Sequence, residues 1–440
     1  MYKGMAEVYG KDKVIVTNSN ITSTSTGLGS VFAVKADQDA VVLTSVLDVK
    51  GTNYATLFGV YAEHNPSLIS SIMSLDGVGV QYGIYARNNS TVTNSDINLQ
   101  HTRSQAYGLY TGNDSLMTQS VINVIAEQRF ALVDVNAYGI NALGNGTINN
   151  SIINVSGAGD STYGVYGGNN LMIGNSNISA IGKGQTVGID GVNDATVINS
   201  TINTASESNT LAVVGSNLIM DNSIINAASV TGTVGILSKN DGSVTNSIIK
   251  AVSEANALGV TGDNNLMIGN SNIQVFGAGD LTQGVQAVNK VTVEGSNVRA
   301  IGEGATAGVG STTNNVMINN STVNATGVGQ TIGIFGVFDA LVSNSTVTAN
   351  SDDGLVLGIA AYSNNATVIN STVNALAGSG EGYGVYAANM IVFEGNGESH
   401  VSASGDIAAI PIASTTAVNN SSPKSQCSSN GGPESDCEEF

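Results

Sequence analysis

One unit of sequence recurs along almost the whole chain, and this repeat constrains the fold more than any other feature. The unit is clearest at residues 265–273, NLMIGNSNI. Its central serine returns about every 25 residues, a period typical of solenoids, in which each repeat forms one turn. The serines that mark the fifteen units are Ser19, Ser45, Ser71, Ser95, Ser120, Ser151, Ser176, Ser200, Ser223, Ser247, Ser271, Ser296, Ser321, Ser345 and Ser371.

Apolar residues hold fixed places around each serine. The residue two places after it and the residue three places before it are always aliphatic or methionine. Because side chains alternate between the two faces of a strand, one flat strand cannot point both positions inward, and the backbone must bend between them. We expect equivalent residues of successive turns to stack into internal columns, as in the series Ile178, Ile202, Ile225 and Ile249.

Two polar corners are predicted in each turn. The residue directly before the serine is asparagine in eleven units, and asparagine tolerates the left-handed backbone conformation of a tight bend. The residue six places before the serine is aspartate or asparagine in thirteen units. Each turn should therefore contain short strands that are separated by Asx corners.

A third strand in each turn reads apolar-Gly-aliphatic, after a glycine-rich loop that we interpret as a tight turn because no helical pattern follows it. In residues 82–85 the alternation of a strand predicts that Tyr82 and Ile84 point inward. The same alternation predicts that Gly83 and Tyr85 point outward. The fold class predicted from these features is all-β, a parallel β-helix of about fifteen coils of roughly 25 residues.

The repeat divides the chain into four predicted segments. These are an N-terminal cap at 1–12, the parallel β-helix at 13–397, a partial last turn at 398–412 and a disordered tail at 413–440. The tail is assigned as disordered because its Ser, Thr, Asn, Gly and Pro residues bury little apolar surface. An insertion around residues 126–132, near Arg129, lengthens one repeat and is predicted to form a loop on one face.

Charge and composition exclude some classes of partner. The net charge of −19 disfavours binding to nucleic-acid backbones. We see no apolar run long enough to span a membrane and no signal peptide, so we expect no membrane insertion. The cysteines, Cys427 and Cys437, both lie near the C-terminus and could be bonded or free.

In coil length, asparagine corners and inward aliphatic columns, residues 13–397 resemble the right-handed parallel β-helices of the pectin-lyase-like superfamily. That superfamily includes polysaccharide lyases and hydrolases, phage tailspikes and the passenger regions of bacterial autotransporter adhesins. In the evenness of its repeat, the chain is more similar to the repetitive surface proteins than to the enzymes. Residues 169–178 are nearly copied at residues 264–273, which indicates growth by internal duplication.

Two aspartates are the best candidates for catalysis. Glycoside hydrolysis requires two carboxylates close together on one face. Asp190 and Asp194 lie four residues apart at the end of one third strand. Asp194 also fits the series of corner residues, and this structural role is the alternative.

Acidic residues recur on one predicted loop edge, seven or nine places after the serine. They could bind calcium loosely, face a basic partner or simply form a charged border that prevents association. No other cofactor is predicted. The candidate metal ligands are Glu207, Glu254, Asp280, Glu303 and Asp352.

A tyrosine strip is the candidate ligand site. Tyr61, Tyr85, Tyr110 and Tyr166 are predicted to point outward, beside glycines that are also predicted to point outward. Sugar rings stack on exposed aromatic side chains, so the strip could bind a glycan. Stacking of the tyrosines on one another is the structural alternative.

Three functions remain open from the sequence. The first is a non-catalytic, secreted or surface-displayed solenoid that acts as an adhesin or scaffold and binds a glycan or a cell-surface protein. The second is a polysaccharide-degrading enzyme, a hydrolase or lyase. The third is an intracellular effector or structural rod, which the lack of a signal peptide keeps open.

Overall fold

A computed structural model of the chain describes residues 5–127, 135–394, 398–414, 417–420 and 426–430. The chain divides into two compact units, Met1–Ser216 and Asn217–Phe440. The described residues form strands and turns without any helix. Each unit is a parallel β-solenoid, and the two together contain about sixteen turns. The insertion near Arg129 lies largely outside the described residues.

Each turn has three strands, which we call first, second and third according to their place around the serine. In the first unit the first strands are Val14–Thr17, Ala40–Leu43, Ser67–Ile69, Ser90–Thr93, Ser115–Thr118, Gly146–Asn149 and Leu171–Gly174. The second strands are Asn20–Ser25, Val46–Gly51, Ile72–Gly77, Asp96–Thr102, Val121–Ala126, Ile152–Gly157, Asn177–Gly182 and Thr201–Ser206. The third strands are Met5–Gly10, Ser30–Ala36, Thr56–Ala62, Gln81–Ala86, Ala106–Thr111, Asn136–Ala142 and Ser161–Gly167. Gln185–Ile198 is a third strand that continues into the next first strand.

The second unit repeats this arrangement. The first strands are Gly242–Thr245, Leu266–Gly269, Val291–Glu294, Val316–Asn319, Ala340–Ser343, Ala366–Ile369, Met390–Glu394 and Ala417–Asn420. The second strands are Ile224–Ser229, Ile248–Ser253, Asn272–Gly277, Asn297–Gly302, Thr322–Gly327, Thr346–Ser351, Thr372–Ala377, His400–Ser404 and Gln426–Asn430. The third strands are Gly232–Ser238, Asn256–Gly262, Leu281–Ala287, Ala305–Ser311, Thr331–Gly336, Val356–Ala361, Glu381–Ala387 and Ala408–Ser414. Asn209–Asp221 contains the boundary between the units.

Equivalent residues of successive turns are paired in register, as predicted. Ile178 pairs with Ile202 in the first unit, and Ile225 pairs with Ile249 in the second. All four side chains are fully buried. The aliphatic columns therefore form the interior of each solenoid, where burial of their apolar surface stabilises the fold.

The asparagine corner is also confirmed. The residue before each of the fifteen serines has a positive φ, between 46° and 58°. Asparagine occupies most of these places, and Gly295 occupies one. At the other corner, side-chain oxygens bind the next turn, as when the backbone N–H of Asn265 donates to Asp241 Oδ1 at 3.2 Å. Short polar side chains thus tolerate the backbone conformation at one corner and accept backbone hydrogen bonds at the other.

The serines form a hydrogen-bonded ladder that the sequence analysis missed. Within each unit the backbone N–H of one serine donates to the Oγ of the next, at 3.0–3.4 Å. The same hydroxyl donates to the carbonyl oxygen two residues earlier, as from Ser271 to Gly269 at 2.8 Å. A hydroxyl both donates and accepts, so serine satisfies the backbone groups of a buried corner that an aliphatic residue would leave unpaired.

The end of the chain differs from the prediction. Ser399 accepts the hydrogen bond from Ser371, so it continues the serine ladder into a sixteenth turn. Ala417–Asn420 and Gln426–Asn430 fall in the segment predicted to be disordered, but they pair in parallel with Met390–Glu394 and His400–Ser404. A polar segment can add to an exposed sheet edge through main-chain hydrogen bonds alone, which composition does not reveal. At the other end, Met5–Gly10 pairs with Ser30–Ala36 as a strand.

The predicted orientation of the third strand was wrong at two positions. Gly83 and Ile84 are both buried, whereas Tyr82 and Tyr85 are both half-buried and contact each other edge to face at 5.3 Å between ring centroids. A Cβ atom on Gly83 would lie 2.6 Å from Ile97 Cγ2, so this glycine faces the interior. The strand pairing also skips Gly83, and this irregularity turns Tyr82 outward.

Candidate functional site

The third strands of the first unit carry two parallel columns of aromatic rings, which we call the aromatic face. The inner column contains Phe32, Phe58, Tyr82, Tyr107, Tyr138 and Tyr163, and the outer column contains Tyr61, Tyr85, Tyr110 and Tyr166. Each ring of the outer column lies three residues after a ring of the inner column. The two columns occupy neighbouring positions on one sheet.

The inner column is a continuous stack. Neighbouring rings have centroids 4.6–5.0 Å apart and are nearly parallel, with interplanar angles of at most 11°. Each such pair contributes about 0.5–1.5 kcal/mol beyond the burial of its area. The stack therefore holds successive third strands in register as well as forming a surface.

The outer column contains the predicted tyrosines. Tyr85 stacks between Tyr61 and Tyr110, with both centroid distances 5.1 Å, so its two ring faces are covered by its neighbours. Asn141 separates Tyr110 from Tyr166 in the register of the sheet. A sugar that stacked on the middle of this column would need a ring face that a neighbouring tyrosine already covers. The rings in the middle of the outer column present their edges and hydroxyl groups to solvent.

The glycines beside these tyrosines were predicted to point outward, and this was wrong. Gly59, Gly83, Gly108 and Gly164 are buried. A Cβ atom on Gly164 would lie 2.6 Å from Ile178 Cγ2 of the opposing strand. The glycines allow the two sheets to approach each other in the interior, and the outer surface between the aromatic columns is filled by ring contacts.

Charged groups border one end of the aromatic face. Lys35 takes the place of an outer ring, and its Nζ lies 5.3 Å from the Phe32 ring centroid and 5.8 Å from that of Tyr61. The Tyr61 hydroxyl donates to Glu63, whose carboxylate also forms an ion pair with Arg87 at 2.8 Å. Two cations thus lie beside the rings of a protein that is acidic overall.

Burial changes the acidity of several ring hydroxyls. Desolvation and the hydrogen bond to Glu63 raise the pKa of Tyr61 to about 12. Desolvation also raises the pKa of Tyr138 to about 12, and it raises the pKa values of Tyr82, Tyr107 and Tyr163. These hydroxyls stay protonated at neutral pH and can donate hydrogen bonds.

The inner column was not predicted from the sequence to be part of this face. The signal was present, because an aromatic residue precedes the glycine in five successive third strands, from Thr56–Ala62 to Ser161–Gly167. Strict alternation assigned those side chains to the interior. Strict alternation fails at the glycine, because the glycine and the residue after it are both buried.

The candidate catalytic aspartates lie in different settings. Asp190 pairs with Tyr166 and extends the outer column, where its charge contributes to the raised pKa values of Tyr138 and Tyr163. Asp194 is exposed farther along the same strand, Gln185–Ile198. A catalytic role for the two residues stays a prediction.

The candidate metal ligands Glu207, Glu254, Asp280, Glu303 and Asp352 are all exposed. Glu254, Glu303 and Asp352 occupy the same place in alternate turns of the second unit. Two strand spacings, about 10 Å, therefore separate neighbouring acidic positions of this column. Glu303 and Asp352 line one recess of about 420 Å³. Among the described residues, no group of three His, Cys, Asp or Glu side chains could hold a metal ion.

Within the described part of the chain, no helix could cross a membrane. Cys427 is disulfide-bonded, and Cys437 lies outside the described residues. Comparisons with models of protein families, with curated proteins and with solved structures found no match to this chain.

Proposed function

We propose that this chain is a non-catalytic β-solenoid, secreted or displayed on a cell surface, that acts as an adhesin or scaffold. In this proposal its aromatic face binds the surface of a partner protein. The observation that carries the proposal is the pair of aromatic columns on one sheet of the first unit. Ten half-buried or buried rings at fixed spacing make a stiff surface with hydroxyl groups along it.

Tyrosine suits a binding surface for physical reasons. It supplies a large contact area with little side-chain entropy to lose, and its hydroxyl adds a hydrogen bond at the edge of the ring. Stacking fixes these rings before any partner binds, which lowers the entropic cost of association. Lys35 and Arg87 add positive charge beside the rings, where carboxylates of a partner could pair with them.

The covered ring faces favour a protein over a stacked sugar. A sugar ring packs its apolar side on an open aromatic face, whereas Tyr85 has a neighbour on each side. Hydroxyl groups and ring edges instead form a surface of mixed polarity, as in the binding surfaces of many protein complexes. Glycan binding is the alternative outcome of the experiment below.

A location outside the cytoplasm is part of the proposal. The disulfide at Cys427 supports it, because disulfides persist in oxidising environments and are rare in the cytosol. The net charge of −19 supports solubility at high local concentration.

The test is binding of the fluorescently labelled chain to intact bacterial and animal cells and to a glycan array. We expect saturable binding to at least one cell type that is lost when the cells are treated with protease. Replacement of Tyr85 and Tyr110 by phenylalanine should weaken it, because the rings still stack but their hydroxyls are gone. Replacement of both by alanine should abolish it.

Tyr386→Ala is the matched control. Tyr386 holds the same strand position in the second unit, where its ring contacts Tyr362 at 6.3 Å. This variant should bind like the unaltered chain. Equal binding by the Tyr85 and Tyr110 double variants would reject the aromatic face as the site, and binding to glycans alone would replace the protein partner by a sugar.

A further inference from the structure

A recess of about 220 Å³ opens on the third strands of the second unit. It lies across Leu281–Ala287, Ala305–Ser311 and Thr331–Gly336. The residues that matter for its chemistry are Gln283, Ala307, Gln330, Ile332, Phe335 and Tyr362. All of the side chains that line it are uncharged, so the recess suits a neutral ligand.

The recess occupies a place that a ring fills in the first unit. Gln283, Ala307 and Ile332 pair with one another across three turns, and each directly precedes the glycine of its third strand. In the first unit the same strand position carries the inner column of the aromatic face. Ala307 has only a methyl group there, so one ring is missing between two longer side chains.

The missing side chain leaves room for one flat ring. Gln283 and Ile332 are two strand spacings apart, which is about 10 Å. Rings of the inner column in the first unit lie 4.6–5.0 Å from each neighbour, so a single ring above Ala307 would contact both sides. The volume is also adequate, because an engineered apolar cavity of about 150 Å³ binds benzene.

One wall of the recess is aromatic. A Cβ atom on Gly310 would overlap the ring of Phe335, so that ring lies over the glycine and closes the side of the slot. Tyr362 lies at the same side, one turn later. A bound ring would therefore meet the edge or face of Phe335 as well as its neighbours along the column.

Gln283 supplies a second and independent indication of a ligand. The residue is only 8% exposed, and its Oε1 atom is buried without a hydrogen-bond partner. A buried acceptor without a partner is costly, and a donor from a ligand would remove that cost. Gln283 lines the slot, so a turn of its side-chain amide would bring Oε1 to a donor on the ring that fills the slot.

We propose that this slot binds a neutral aromatic ring that carries a hydrogen-bond donor, that is, a phenol. The ring stacks between Gln283 and Ile332 above Ala307, and its hydroxyl donates to the amide oxygen of Gln283. The phenol could belong to a free small molecule or to a tyrosine side chain of a bound peptide. This site is separate from the aromatic face, and its existence does not depend on the function proposed above.

The test is an NMR titration of the full chain, labelled at its alanine and isoleucine methyl groups, with 4-methylphenol. We expect saturable shifts of the Ala307 and Ile332 methyl signals. Ala307→Phe should abolish binding because its own ring occupies the slot, and Ala307→Leu should weaken it. Thr261→Phe, an added ring two turns away on the same sheet, should leave binding unchanged.

Gln283→Leu tests the hydrogen bond. It should weaken binding of 4-methylphenol about tenfold, the effect of one hydrogen bond, but leave binding of toluene unchanged. A second titration with N-acetyl-Gly-Tyr-Gly-amide separates the two sources of the ring. Binding of this peptide points to a partner's tyrosine, whereas binding of 4-methylphenol alone points to a small molecule. The proposal would be overturned if the unaltered chain showed no saturable shifts, or if the Ile332 methyl signal shifted equally in Ala307→Phe.

Discussion

The backbone N–H of Ser247 donates to the Oγ atom of Ser271 at 3.1 Å, and both serines are buried. Ser271→Ala would leave that N–H without a partner at a corner that water does not reach. We expect the free energy of unfolding to fall by about 1–3 kcal/mol, the cost of an unsatisfied buried group. Urea unfolding followed by circular dichroism measures this. Ser243→Ala is the control, because Ser243 lies on the outer side of its strand and should change stability little.

Asn270 has a φ of 48°, a conformation that β-branched side chains avoid. Asn270→Val should destabilise the protein by about 1–3 kcal/mol through backbone strain. Asn270→Gly should be close to neutral, since Gly295 serves naturally at the equivalent corner with a φ of 58°. The comparison of thermal unfolding midpoints decides this. Equal losses in the two variants would show that the asparagine side chain, not the backbone conformation, stabilises the corner.

Gly83 approaches the opposing strand so closely that an added methyl group would lie 2.6 Å from Ile97 Cγ2 and would also overlap the carbonyl oxygen of Gly108. Gly83→Ala should therefore destabilise the first unit by about 1–3 kcal/mol or more, as overpacking does in other cores. Gly27→Ala is the matched control, because its Cβ atom would meet only Ser25 Oγ, at 3.8 Å. An unchanged melting temperature in Gly83→Ala would contradict the close packing of these sheets.

Alkaline pH should destabilise the first unit, because Tyr61 and Tyr138 hold their protons more tightly in the folded chain than in the unfolded chain. The pKa values of Tyr61 and Tyr138 are raised to about 12 in the folded chain, against about 10 when unfolded. Above pH 10 the unfolded state holds fewer protons than the folded state, so the free energy of unfolding falls as pH rises from 10 towards 12. Below pH 10 both states keep their protons, and this contribution to stability is fully present.

Urea unfolding at about pH 9 and about pH 11 measures this loss, and tyrosine absorbance measures the titration itself. Tyr61→Phe combined with Tyr138→Phe removes both hydroxyls and should reduce the difference between the two pH values. If the double variant loses as much stability as the unaltered chain, other groups cause the alkaline effect.

The sequence by itself determined the architecture of the turn. The spacing of aliphatic residues around each serine defined the internal columns, and it predicted that Ile178 would pair with Ile202. Asparagine before the serine marked a left-handed corner, because few other residues tolerate that conformation. These features are local, so a periodic sequence repeats them in every turn.

Only the tertiary structure decided which way the rings point. Tyr82 lies outside because Gly83 moves towards Ile97 of another strand, and that contact depends on how closely the two sheets approach. The slot above Ala307 exists for a related reason, since a small residue leaves space only when longer neighbours stand on both sides in register. Contacts between turns join residues about 25 positions apart, and alternation within one strand contains no information about them.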